Sequence, residues 1–391
     1  MHRSAHFPRT LGVALVLAAS ASLALGVTIS AHGYDARVTG HVYVNDNTAG
    51  VNTIAGFDRH ADGTLTPIAG SPFAAGGAGT GGVIGSQGAL QFAHDGHFVL
   101  AVDAGSNQIA VLRVKKNGAL TPVAGSPVSS NGILPVSIAV HGDLVYVAND
   151  GNGASGSNYT GYTLSHSGRL SPLSGSTFAL PGAAGPGDVL FNGPGTRLIG
   201  TRVNTSQIDS FIVNEHGDLT AAPGSPYNAQ GAGPFGSAFR PTNADQLYVS
   251  NAHDGAGNGT VSAYHDNWNG TLTSIGGSPY ADNQTAPCWV TITPNGRYLF
   301  TVNTGSSSIS SYAIAENGTL SLIGSTTLKD ATGLRPFDMT VTPNGQYAYV
   351  VDPGHVTVSA FAVSEHGSLS ELVSSPIALP TGATPFGIIA D

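Results

Sequence analysis

Along most of the chain, apolar residues alternate with polar ones in short runs that stop at Asn-Gly, Gly-Ser or similar turn pairs. The stretch 286–324 is the cleanest example: APCWVTITPNG, RYLFTVNTGSS, SISSYAIAENG and TLSLIG. A pleated backbone points every second side chain to the same face, so each run predicts one half-buried strand rather than a helix. The runs are rich in Val, Ile, Tyr and Thr, residues that suit a pleated surface. Turn pairs of this kind join antiparallel neighbours, and the stretch predicts a four-stranded twisted sheet.

The same unit recurs. Gly-x-Leu-Ser/Thr begins at Gly63, Gly118, Gly168, Gly217, Gly270, Gly318 and Gly367, a period of about fifty residues. Gly-Ser-Pro begins at Gly70, Gly125, Gly224 and Gly277, with worn copies at 175–177 and 374–376. A proline opens the first strand of most copies, at Pro135, Pro186, Pro234, Pro287, Pro336 and Pro385, and Gln87 takes that slot in one. Four strands per period of about fifty is the pattern of a propeller blade. A single blade buries neither face, so blades must stack radially. The prediction is an all-β, seven-bladed β-propeller with four antiparallel strands per blade. The first copy starts at the second strand, around His41, and 384–391 reads as an extra first strand. The C-terminal strand is therefore expected to complete the N-terminal blade and close the ring, which removes the exposed sheet edges. The run Ala74–Gly85 has no lysine and precedes no helix, and reads as a linker.

Residues 1–33 change the picture of where the protein works. His2, Arg3 and Arg9 precede a small-residue apolar run from Leu11 to Val27, followed by possible cleavage sequences at 24–26 and 31–33. This predicts a signal peptide, with an uncleaved anchor as the alternative, and the propeller then occupies 34–391. The protein is expected to be secreted or periplasmic, off the membrane after cleavage, and a monomer. Only 9 % of residues are charged, the net charge is −9, and the three lysines are Lys115, Lys116 and Lys329. Without a basic stripe, nucleic acid and anionic membranes are poor partners. Cys288 is the one cysteine, so no intramolecular disulfide forms. It reads as a small buried hydrophobe.

Candidate chemistry gathers on the rim that carries the loops between strands two and three and between blades. Strand two ends in Asn45, Asp103, Asn149, Arg202, Asn251, Asn303 and Asp352. Asx side chains there suit turn capping. Arg202 does not, and is a candidate clamp for a carboxylate or phosphate. Two residues beyond the proline slot, Asp188 and Asp338 are expected to face the channel, where a carboxylate can act as a general base or simply bond backbone amides and water. Arg335 is expected to pair with Asp338 and lower its pKa. His253, beside Asp254, is the rim's candidate proton carrier, with His355 a second histidine there. No cofactor and no metal site is expected, because these histidines sit on blades that are not adjacent. His216 and His366 fall in the opposite turns and read as solvated.

The repeated Pro-Asn-Gly, Tyr-x-x-x-Val-Asn and Gly-x-Leu-Thr elements resemble the seven-bladed lactonase-family propellers, which include phosphogluconolactonase and carboxymuconate cyclase, and the related Tyr-Val-Thr-Asn surface repeats. The likeness covers about residues 40–391. It implies a lactone opened at the central funnel by polar residues of a Gly-Pro-Arg-His element. Here that element is Gly233-Pro234-Phe235-Gly236, and Ser250-Asn251-Ala252-His253-Asp254 keeps part of a second family signature. The resemblance therefore points to His253 or Asp338 as base and Arg202 or Arg335 as clamp, acting on a sugar-acid or muconate-type lactone. A non-catalytic propeller that binds a glycan, peptide or envelope partner is the other reading.

Overall fold

The computed structural model describes residues 37–329, 332–333 and 335–391 of the chain. The leader expected at 1–33 lies outside the described residues. The rest forms seven antiparallel sheets. Blade four is typical, with strands Pro186–Phe191, Arg197–Arg202, Gln207–Val213 and Leu219–Ala221, joined in chain order from the axis outwards. The innermost strands follow one another around a common axis. The C-terminal strand Gly387–Ala390 packs against both Met339–Val341 and Leu90–Ala93, so the ring is closed.

Closure takes the expected form. Val38–Asn45 pairs with Gly50–His60 on one side and with Gly387–Ala390 on the other, Val42 opposite Ala390 and Asn45 opposite Gly387. Beyond the strand, the Asp391 carboxylate accepts the His41 backbone N–H, and its carbonyl accepts Arg59 Nη2 at 2.7 Å and Nε at 3.1 Å. The first sheet is thus completed by residues some 350 positions away.

Each sequence anchor has a physical cause. Gly-Ser-Pro interrupts the outer strand of a blade. In blade five, Leu272–Ser274 and Tyr280–Ala281 flank the break and both pair with Thr260–Asp266. The serine at the break accepts a third-strand N–H fifteen residues earlier: Gly56 to Ser71 Oγ at 2.8 Å, Val111 to Ser126 Oγ at 2.8 Å and Ala263 to Ser278 Oγ at 2.7 Å. Blade six has no proline there, and its outer strand Leu320–Thr327 runs unbroken. The glycine-rich run at 74–85 is not wholly a linker. Phe73–Gly79 is a strand paired with Gly50–His60, where Gly77 lies close enough for its N–H to reach Asp103 Oδ2 at 3.0 Å.

The Gly-x-Leu glycines do more than turn the chain. All seven hold φ between +75° and +90°, a region that L-residues avoid. Several also lie directly under the preceding blade. A Cβ on Gly168 would overlap the Phe98 ring, and one on Gly63 or Gly367 would overlap Tyr347 or Tyr298. Their carbonyls accept buried hydroxyls from that blade: Tyr43 to Gly118 at 2.7 Å, Tyr146 to Gly217 at 2.8 Å, Tyr248 to Gly318 at 3.0 Å and Tyr349 to Gly63 at 2.9 Å. The core lies between blades rather than within them, and these tyrosines are fully buried there.

Gly168→Ala and Gly175→Ala separate conformation from packing, because Gly175 has φ +76° with nothing near its missing Cβ. Gly175→Ala should lose about 1–2 kcal/mol of unfolding free energy for the left-handed backbone. Gly168→Ala should lose about 1–3 kcal/mol more through overpacking. Urea denaturation of the two variants measures the difference, and equal losses would mean that contact with the neighbouring blade does not fix the motif.

Candidate functional site

The innermost strands carry their channel-facing side chains two residues beyond the proline slot, and this brings Asp188 and Asp338 to the axis. They line one funnel of about 470 Å³. Its wall runs outwards to Gly193 and Pro241, in turns between first and second strands, so it opens on the rim opposite to the one expected. Asp188 is almost completely buried. Its Oδ2 accepts Ser237 N–H at 3.0 Å, Ser237 Oγ at 2.7 Å and Gln87 Nε2 at 3.4 Å, and its Oδ1 accepts Ser137 Oγ at 3.2 Å. Desolvation outweighs these bonds and pushes its pKa up to about 7. Asp338 Oδ1 accepts the Met339 N–H at 2.9 Å. Burial holds its carboxyl well above the usual range, and the Asp188 charge adds to the effect.

Gln87 explains the one copy without a proline. A proline has no N–H, whereas the Gln87 N–H bonds Gly187 O at 2.9 Å. Its side chain crosses the channel, giving Nε2 to Ser237 O at 2.6 Å and accepting Val290 N–H on Oε1 at 2.9 Å. One residue thus ties the blade-two side of the axis to blades four, five and six. The anomaly was visible in the sequence, but the repeat alone does not reveal what the amide reaches.

The other mouth of the channel is filled. Phe235, Trp289 and Phe337, at the entries to three innermost strands, pack together, Phe235 edge-on to Trp289 at 5.1 Å between centroids and Phe337 stacked on it at 4.5 Å. Trp289 Nε1 donates to Ser86 O at 2.7 Å. Phe235 stands in the arginine slot of the family element. The adjoining Cys288 is buried, which pushes its thiol up to about 12 and keeps it protonated.

The remaining nominated residues do not join the two carboxyl groups. Arg202 is buried and forms a two-point ion pair with Asp209, Nη2 to Oδ1 at 2.5 Å and Nε to Oδ2 at 2.6 Å. Asp209 Oδ2 also accepts the Tyr159 hydroxyl of blade three at 3.0 Å, which makes the pair a link between blades. His253 is exposed and covers Gly233, while Asp254 accepts Ala232 N–H and Thr260 Oγ1, both at 2.6 Å. Arg335 is exposed, and its backbone N–H bonds Asp352 Oδ1 at 2.9 Å. Among the described residues no Arg335–Asp338 ion pair forms, and Asp338 is shifted up rather than down, because desolvation dominates where no cation adjoins it. His355 lies 3.6 Å from Asp352. A grouping that sequence reading passed over, His94, Asp143 and His166, lies on the turn rim between blades two and three. Repeat alignment carries its signal, since His94 and Asp143 occupy corresponding turns of successive blades.

The model of the family described as lactonase, 7-bladed beta-propeller, matches residues 42–184 and 195–385. None of the curated proteins matches the chain. Among solved structures, a protein of Bacteroides uniformis provisionally assigned as a 6-phosphogluconolactonase is 20 % identical, with a TM-score of 0.71 over 90 % of this chain and 99 % of that one. A Bacteroides fragilis protein with the same provisional assignment gives 20 % identity and a TM-score of 0.70, covering 90 % and 98 %. The periplasmic gluconolactonase of Pseudomonas aeruginosa is 17 % identical, with a TM-score of 0.68 and coverage of 90 % and 98 %.

A carboxyl group raised from 3.8 to about 7 on folding stabilises the native state below the unfolded value and loses that contribution as pH climbs through the folded one. Unfolding free energy should therefore fall between about pH 4 and pH 7, with Asp188 contributing up to about 4 kcal/mol. Asp46, Asp103, Asp266 and Asp282 add to the fall in the same direction. Chemical denaturation across that range should give a shallower slope for Asp188→Asn than for the wild type. An identical slope would show that Asp188 titrates normally.

Proposed function

The chain belongs to the lactonase family of seven-bladed β-propellers, and from that premise we propose that it hydrolyses a small uncharged lactone in the axial funnel. One observation carries the reading. Of the five nominated residues, Asp188 and Asp338 share a cavity, and burial there raises both carboxyl groups above the usual carboxylate range, Asp188 to about 7. Two acids poised in one site can divide the work of base and acid.

The chemistry needs three things. A base takes a proton from water as its oxygen attacks the lactone carbonyl carbon. A donor stabilises the oxyanion that forms. The ring C–O bond then breaks, and the ring oxygen leaves with a proton as a hydroxyl. Asp188, ionised in part at neutral pH, suits the base and is held by Ser137, Ser237 and Gln87. Asp338, whose burial favours the protonated form, suits the hydrogen-bond donor to the carbonyl oxygen and can supply the leaving group's proton. The funnel wall also carries Arg240, but its guanidinium is held by Gly296 O, Gln246 Oε1 and Ala315 O, so the two carboxyl groups at the axis favour a neutral aldonolactone over a phosphorylated one. The arginine-led apolar leader supports export, with the protein acting in the periplasm or outside the cell as a monomer.

A second reading, a non-catalytic propeller that binds a glycan, peptide or envelope partner, draws on the four bonds that already occupy Asp188 and on the dispersal of Arg202, His253 and Arg335.

Purified protein should open glucono-1,5-lactone faster than the spontaneous reaction, and Asp188→Asn and Asp338→Asn should each lower kcat/KM by about 10²–10⁴. Turnover unaffected by either change would remove the funnel as the site. Absence of turnover would leave the binding reading. For export, N-terminal sequencing of protein recovered outside the cytoplasm should find a start between residues 25 and 34, whereas an intact Met1 would argue for retention.

A further inference from the structure

His94, Asp143 and His166 come from three turns on two blades. Their ligand atoms all lie within 4.8 Å of one another. His94 Nε2 is 2.9 Å from Asp143 Oδ1, and the His94 and His166 rings are 5.2 Å apart. Around a tetrahedral zinc ion, with bonds of about 2.0–2.1 Å, neighbouring ligand atoms stand about 3.3 Å apart. The His94–Asp143 separation lies just below that value and every other lies within 4.8 Å, so small side-chain rotations would bring the three ligand atoms around one ion.

The turn that carries His94 departs from its counterparts. Blades six and seven have Pro294-Asn295-Gly296 and Pro343-Asn344-Gly345 here, whereas blade two has His94-Asp95-Gly96. His94 and Asp95 are both left-handed, at φ +49° and +54°, a conformation that non-glycine residues rarely adopt. The His94 ring is fixed edge-on against Phe98 at 5.7 Å. The nearby Arg113 guanidinium is turned onto the Phe98 face and the Ser167 carbonyl. All three candidate ligands line a cavity of about 580 Å³, open to solvent.

We propose that His94, Asp143 and His166 bind a divalent transition-metal ion, zinc by preference, on the turn rim between blades two and three. Two imidazoles and a carboxylate suit zinc, copper or nickel, whereas calcium and magnesium demand oxygen donors. Three protein ligands leave a fourth position for water or an incoming group. The ion would also bridge adjacent blades, since His94 belongs to blade two and the other ligands to blade three.

The full chain, stripped with a chelator, should take up one equivalent of zinc in a calorimetric titration. Cobalt(II) in its place should give the visible bands of a tetrahedral nitrogen–oxygen site. His166→Ala and Asp143→Ala, both on exposed turns, should weaken zinc binding at least tenfold while the melting temperature of the stripped protein stays unchanged. No uptake by the wild type overturns the site. So does equal affinity in the wild type and His166→Ala, or calcium binding as tight as zinc.

Discussion

A buried hydroxyl that reaches across to the next blade's turn holds this architecture in register. A four-stranded sheet cannot satisfy itself, because both of its faces need cover. Here the cover comes with a direction: Tyr43, Tyr146, Tyr248 and Tyr349 each donate to the carbonyl of a Gly-x-Leu glycine in the following blade. Such a bond contributes only about 1 kcal/mol net, but leaving a buried carbonyl without its donor costs about 1–3 kcal/mol. The constraint therefore works mainly by excluding misplaced blades. It also accounts for the glycine, which must turn left-handed and lie flat beneath a neighbour's side chain.

The fold was legible because its determinants are local and repeated. Gly-x-Leu, Gly-Ser-Pro and the proline slot each act within one blade or on the next, so their spacing carries the topology. The unpaired halves at the chain ends were enough to place the seam. Departures arose where a local rule met a distant group. The glycine-rich run after Phe73 reads as linker by composition, yet Phe73–Gly79 pairs as a strand with Gly50–His60.

The site was legible in part, and for a related reason. Counting from the proline slot put Asp188 and Asp338 at a mouth on the rim of the strand two–three loops; both line the axial funnel, which opens on the other rim. The count does not show partners. Asp209, on the paired strand two residues beyond the one opposite Arg202, takes its guanidinium at two points, so the arginine serves the blade rather than the mouth. The count does not show crowding either. Phe235, Trp289 and Phe337 close the mouth because three large rings start adjacent innermost strands. The histidines at 94 and 166 were hidden by separation in sequence; superposing one repeat on the next matches the turns of His94 and Asp143, whereas His166 comes from a different turn of blade three.

The completed first sheet has a consequence for how the chain comes into being. A ribosome delivers Val42–Asn45 early and Gly387–Ala390 last. Until translation ends, the innermost edge of that sheet lacks its partner, and an uncovered edge invites pairing with any other extended chain. The nascent polypeptide must therefore be kept from its own kind for nearly the whole of synthesis.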